Sequence, residues 1–323
     1  MRKILLALMM FHVVTPLWAQ VSPQFSNYMF FRQAYNPAVA GSENYVDMTA
    51  LYRAQWVNIN GAPSVAGLSV HAPIKSISSG IGFTFYNEMT GEQRLTMGNV
   101  NFAYGHSFRF GRLSAGIGLG LYQRALNGDK LIAPEGNYES GGVNHNDNYI
   151  PNTKVSAWTP ELSTGLYFNN DRLYLGVGVM NLLQMKSTLA APGGEAQIRA
   201  TRTLAFMGGY RISVGKKFFL LPSVMVKTEF KNYQSDVTLL LQYKDNIYGG
   251  FSFRGSSSKT KDALVAMLGF RIVKGLNVGY SYDFSLSALN NANSGSHEAF
   301  INYRLPLRDK SKPGKIIYNP RNL

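Results

Sequence analysis

The sequence predicts an all-β fold, a transmembrane antiparallel β-barrel of fourteen strands with short periplasmic turns and long external loops. Three observations predict it. Residues 275–287 place Leu276, Val278, Tyr280, Tyr282, Phe284 and Leu286 on one parity, and Asn277, Gly279, Ser281, Asp283 and Ser285 on the other. Side chains alternate faces along a strand, so one face is apolar and aromatic and the other small and polar. About nine to eleven residues is the length at which a tilted strand crosses a bilayer. The composition agrees. Charged residues are 15% of the 323, against about 25% in soluble domains. The third observation is that the links between strands alternate in length along the chain.

Residues 1–19 read as a cleaved signal peptide for Sec export. Arg2 and Lys3 lead an apolar run over 4–14, and Ala19 precedes the cut, although Leu17 stands where a small residue is usual. No later apolar run approaches the eighteen or so residues a membrane helix needs, so strands must make any crossing. Residues 20–44 carry Phe25, Tyr28, Phe30, Phe31 and Tyr35 with no clean period, then turn formers. They are expected on the periplasmic side, as an extended segment or a plug at the barrel mouth.

The barrel is expected over 45–306. In the first strand Val46, Met48, Ala50, Tyr52 and Ala54 share one face, and Asp47, Thr49, Arg53 and Gln55 the other. Strands two to seven are expected over 64–72, 80–88, 93–108, 113–121, 161–168 and 173–179. Strands eight to fourteen are expected over 198–213, 218–228, 236–243, 247–254, 263–273, 275–287 and 298–305. An even number is what single-chain outer-membrane barrels require. Links after the even strands are tight: KSIS, RFGR, NND, VGKK, KDN and VKG. Links after the odd strands are longer, with 123–159 the longest and 229–235 intermediate. That parity places both termini in the periplasm.

Charge follows the sides so defined. The net charge is +14 with the signal peptide and +12 without Arg2 and Lys3. The tight turns carry Lys75, Arg109, Arg112, Arg172, Lys216, Lys217, Lys244 and Lys274 against Asp171 and Asp245. The periplasmic tail, 307–323, adds Arg308, Lys310, Lys312, Lys315 and Arg321 against Asp309, with Ile316, Ile317 and Tyr318 between them. Such a rim either contacts lipid headgroups or steers an acidic periplasmic partner towards the barrel. The tail, which closes no barrel, favours a partner, and Lys216, Lys217, Lys244, Lys274 and the tail cations are the expected docking residues.

Inside the barrel, Arg53, Arg254, Asp283 and Glu298 fall on lumen-facing parity in the external halves of their strands. Buried charges pair, so these four are expected to form a structural ion network rather than a catalytic site. Enzyme signals are poor. The chain has no cysteine, no G-x-S-x-G elbow and no H-E-x-x-H, and its five histidines show no metal spacing. No catalytic residue, metal ligand or cofactor is expected. A calcium loop at 136–147 is the weaker alternative to a flexible external loop. No nucleic-acid partner is expected of an exported chain, despite the basic charge.

Both ends of the chain carry a resemblance. QFSNYMFFRQAYNPAVAGS, with Asn36 and Pro37, is similar to the opening of the PorP/SprF family of type IX secretion membrane proteins. YRAQWVNINGAPSVAGLSVHAP follows, with Gln55, Trp56, Gly61, Pro63 and His71, and then GIGFTFYNE. YSYDFSLSAL and GSHEAFINYRL, with Ser285 and His297, resemble the family's ending. Ser22 and Asn27 depart from the usual pattern, and 123–159 matches nothing in it. The resemblance implies an integral outer-membrane barrel of the Bacteroidetes type IX protein secretion and gliding machinery. Its implied partners are outer-membrane lipid, the periplasmic ring lipoprotein with its partner subunits, and secreted adhesin-type cargo. An outer-membrane transport barrel, a porin or hydrophobic-solute channel, is the alternative.

Overall fold

Each strand with one apolar face needs lipid on that face and hydrogen bonds on both edges, and closure of the sheet supplies both. The computed structural model describes residues 23–138, 142–230, 232–244, 246–257 and 260–307. Residues 1–19, expected as a signal peptide, and the tail cations Arg308, Lys310, Lys312, Lys315 and Arg321 lie outside the described residues.

Fourteen antiparallel strands close the barrel. They are β1 (Tyr45–Ala54), β2 (Ser64–Ile74), β3 (Ser79–Thr90), β4 (Gln93–Phe108), β5 (Gly111–Asn127), β6 (Lys154–Asn169) and β7 (Leu173–Met180). β8 is Thr203–Tyr210 continued past Arg211 by Ile212–Val214, and both pieces keep one register against β9 (Phe218–Thr228). β10 (Tyr233–Tyr243), β11 (Ile247–Ser257), β12 (Thr260–Val273), β13 (Leu276–Ser285) and β14 (Ser296–Pro306) complete the circuit. β14 pairs with β1, which sets Arg53 opposite Glu298.

The alternation read in 275–287 is literal in β13. Asn277, Gly279, Ser281 and Asp283 are buried in the lumen, while Tyr280 and Phe284 are exposed on the outer face. The same outer face carries Leu119, Leu166, Leu239, Phe251, Leu268 and Ile301. Among the described residues no helix is long and apolar enough to cross a membrane.

Three features depart from the sequence reading. Residues 198–202 do not belong to β8. Lys186–Ala191 and Gly194–Arg199 instead form an external hairpin. Arg202 holds its base by donating from Nε and Nη2 to Leu182 O (3.2 and 2.7 Å). The hairpin leans on β6 through Thr159 Oγ1 and Ser187 Oγ (2.8 Å), and buries Leu189 completely. Second, not every external link is long. β3 and β4 pair up to Thr90 and Gln93, leaving a two-residue turn of Gly91 and Glu92, and β11 pairs with β12 up to Ser257 and Thr260. Height on that side comes from strands that continue past the apolar band, as in β5 and β6, whose sixteen paired positions run from Arg112 to Asn127.

The third departure concerns residues before β1. They are not confined to the periplasmic mouth. From Asn44 the chain runs up the lumen to Pro23, which lies at the external end of β9, where Lys227 Nζ donates to Pro23 O (3.4 Å). Gln24 lies beside Gln55, just past the external end of β1 (3.4 Å). The reason is chemical. The lumen wall presents buried carboxylates that need donors, and this segment brings them.

Candidate functional site: the plugged lumen and its two mouths

The lumen segment is built from three single-turn 3-10 helices, Tyr28–Phe30, Arg32–Ala34 and Pro37–Val39. Asn36 caps the third by accepting from Ala38 N (2.9 Å), with Pro37 at the first helical position, where its missing N–H costs nothing. Phe25, Tyr28, Phe31 and Tyr35 are buried and form the centre of the core. Phe25 and Phe31 meet edge to face at 5.0 Å. Phe30 stacks on Phe300 at 4.5 Å.

The wall is glycine where the plug comes closest. A Cβ on Gly178 would lie 2.0 Å from Tyr35 O, and one on Gly116 would lie 2.4 Å from Ala38 N. Between the plug and the wall of β3 to β6 lies a gap of about 20 Å³. That is room for about one water molecule.

The upper plug is bolted to an ion network. Arg53 donates from Nη2 to Asp283 Oδ2 (2.8 Å) and lies 3.4 Å from Glu298 Oε2 through Nη1. Arg254 donates from Nη1 to Asp283 Oδ2 and from Nε to Asp236 Oδ1, each at 2.6 Å. All these side chains are at most 3% exposed. The plug completes the network. Ser26 N and Asn27 N donate to the two oxygens of Glu298 (2.8 and 2.7 Å). Ser26 Oγ donates to Asp283 Oδ1 (2.8 Å) and accepts from both arginines (2.8 and 3.0 Å). The structure thus brings Arg53, Arg254, Asp283 and Glu298 together. It adds two members that sequence reasoning missed, Asp236 and Ser26. Asp236 was legible, since it shares lumen parity with Thr238. Ser26 was not, because its segment has no period.

Lower down, Arg32 donates from Nη1 to the Tyr167 hydroxyl, lies 4.8 Å over the Tyr174 ring and pairs with Glu43 at 3.3 Å. Below it the periplasmic mouth encloses a cavity of about 500 Å³. The expected docking lysines behave differently. Lys216, Lys217, Lys244 and Lys274 are exposed on three separate turns of the rim, and none of them lines the periplasmic-mouth cavity.

The residues that carry the family resemblance divide between two places. Asn36 and Pro37 lie in the plug. Gln55, Trp56, Pro63 and Ser285 line an external-mouth cavity of about 510 Å³, whose floor includes Arg53, Arg254 and Asp283. Gly61 shapes the first external loop, with a positive φ of 73°. His297 lies on the outer wall between Tyr280 and Tyr282. His71 is buried in the lumen half of β2, opposite Asp47. In the 136–147 loop, His145 is held between Tyr138 and Gly128 O (2.9 Å each). Among the described residues no three His, Asp or Glu side chains are grouped to hold a metal ion.

A solved structure shares the architecture. A Pseudomonas aeruginosa FadL homologue aligns at a TM-score of 0.51 and 9% identity, over 89% of this chain and 99% of that one. The monoaromatic hydrocarbon channel CymD aligns at 0.47 and 11% identity, over 85% and 92%. The Acinetobacter baumannii outer-membrane protein Omp33 aligns at 0.45 and 7% identity, over 82% and 99%. At 9% identity the likeness to the FadL homologue is one of fold alone. No curated protein matches the sequence. The family comparison is decisive, because the model for type IX secretion system membrane proteins PorP/SprF matches residues 18–303. A closed barrel with this signature at both ends of the chain is an outer-membrane protein, and the chain belongs to the PorP/SprF family of type IX secretion membrane proteins.

Proposed function

We propose that this barrel serves type IX secretion as a closed, non-catalytic scaffold. It docks periplasmic ring or motor components, or adhesin-type cargo, at the outer membrane. The observation that carries the reading is the plug. The lumen is crossed by a chain bonded to Glu298, Asp283 and the Tyr167 region, and the gap between it and the wall of β3 to β6 is about 20 Å³, which argues against an open path for a solute. What remains for function is surface. On the periplasmic side that surface is basic, which steers acidic partners and suppresses basic ones. The transport alternative requires the plug to leave the lumen.

Two measurements on the full-length protein test the proposal. In planar bilayers the protein should conduct no stable large current; a persistent open channel would sink the scaffold reading. Reversing the rim lysines together (Lys216→Glu, Lys217→Glu, Lys244→Glu, Lys274→Glu) should leave a folded barrel and cut co-purification of periplasmic secretion components by about tenfold. Undiminished co-purification would defeat docking at the rim.

A further inference from the structure

The cavity of about 500 Å³ at the periplasmic mouth joins two kinds of surface. Its floor is apolar, made by Met29 and Phe30 of the plug and by Leu221 and Leu240 of the wall. Its sides carry guanidinium groups. Arg112 is tied to Ser78 O by Nη2 (2.8 Å), Arg211 lies 3.8 Å over the Phe219 ring, and Arg172 stands in the turn between β6 and β7. Arg32 is matched by Glu43, and Asp171 is the other acid of the lining, beside Arg172 in the same turn.

We propose that this vestibule is a socket for an acidic segment of a periplasmic partner, anchored by one aromatic side chain. The inference rests on the docking reading above and narrows it to one place and one chemistry. A cavity of this size accepts a side chain with its flanking residues, not a folded domain. An aromatic anchor in a desolvated pocket is the usual centre of an interface. Carboxylates beside it meet arginines, whose planar fork binds them in pairs. The exposed rim lysines extend the same sign of potential outward, which favours approach of an acidic chain. The protein's own tail is the wrong guest, since it carries five basic residues against Asp309. A seated aromatic would press on Phe30, which stacks on Phe300 and lies 5.3 Å from Tyr248, so the guest would brace the plug from below.

The test uses the full-length protein in nanodiscs and fluorescein-labelled synthetic peptides. One peptide carries a single Phe between glutamates on a Gly-Ser background. A second has lysine for each glutamate, and a third has alanine for the Phe. Anisotropy should show salt-sensitive binding of the first, about a hundredfold weaker binding of the lysine peptide and about tenfold weaker binding of the alanine peptide. Arg112→Glu with Arg172→Glu should weaken the first peptide at least about tenfold. Leu221→Trp, which fills the floor without changing charge, should abolish the advantage of Phe over alanine, and it keeps the test valid if the double variant fails to fold. Equal binding of all three peptides, no binding of the first, or binding that survives both variants overturns the socket. Co-purification separates this failure from failure of docking. If partners are lost when the rim lysines are reversed yet kept by Leu221→Trp, docking stands and the socket falls. If both variants keep their partners, docking itself falls.

Discussion

Arg53 shows how much one residue carries here. Its guanidinium touches Asp283, Glu298 and Ser26, and so joins β1, β13, β14 and the plug. Removing one partner of a buried ion pair leaves the other charge uncompensated, at a cost of roughly 3–5 kcal/mol. Arg53→Ala should therefore lower stability by about that amount, read as a shift of the urea midpoint in lipid vesicles through tryptophan fluorescence. Arg53→Lys should fall between, because a lysine keeps the charge but not the planar fork. An unshifted Arg53→Ala midpoint would mean that water compensates the carboxylates. The pairing was legible at this scale, since strand parity and closure alone set Arg53 beside Glu298.

At the scale of elements, the plug and the glycines opposite it depend on each other. Gly178 in β7 and Gly116 in β5 lack side chains where the plug backbone touches the wall. Gly178→Val would drive a side chain into Tyr35 O, while its β-branched replacement suits the strand itself. The expected result is a closed barrel with a displaced lower plug. Trypsin cleavage after Arg32 should then appear in the variant and be absent from the parent, as read by mass spectrometry. Continued protection of Arg32 would show that the wall yields instead of the plug. The strands were legible from period-two alternation, which lipid on one side and lumen on the other impose on every crossing segment. The external hairpin was not, because Ile198 alternates with its neighbours just as a barrel residue would, and only pairing distinguishes the two.

For the whole molecule the deciding relation is between barrel and plug. A fourteen-stranded sheet encloses more space than its own side chains fill, so occupancy of the lumen decides whether the protein conducts. Deleting residues 24–42 should convert a silent protein into one with large, stable single-channel currents. It should also lower the urea midpoint, because Glu298 loses its two backbone donors and Asp283 loses the Ser26 hydroxyl. A deletion variant that folds and stays silent would show that side chains of the wall close the lumen unaided.

Strand number, sidedness, the lumen parity of four charges and the family signature were all determined by local alternation and motif, which a linear chain displays. The course of residues 23–44 was decided only by tertiary structure. Their aromatics and 3-10 turns have no period, and the carboxylates that hold them, Asp283 and Glu298, lie more than two hundred and fifty positions away. The periplasmic socket is legible only in three dimensions for the same reason. Met29, Phe30, Arg112, Arg172, Arg211, Leu221 and Leu240 come from the plug, four strands and a turn, and closing the barrel around the plug is what sets them side by side.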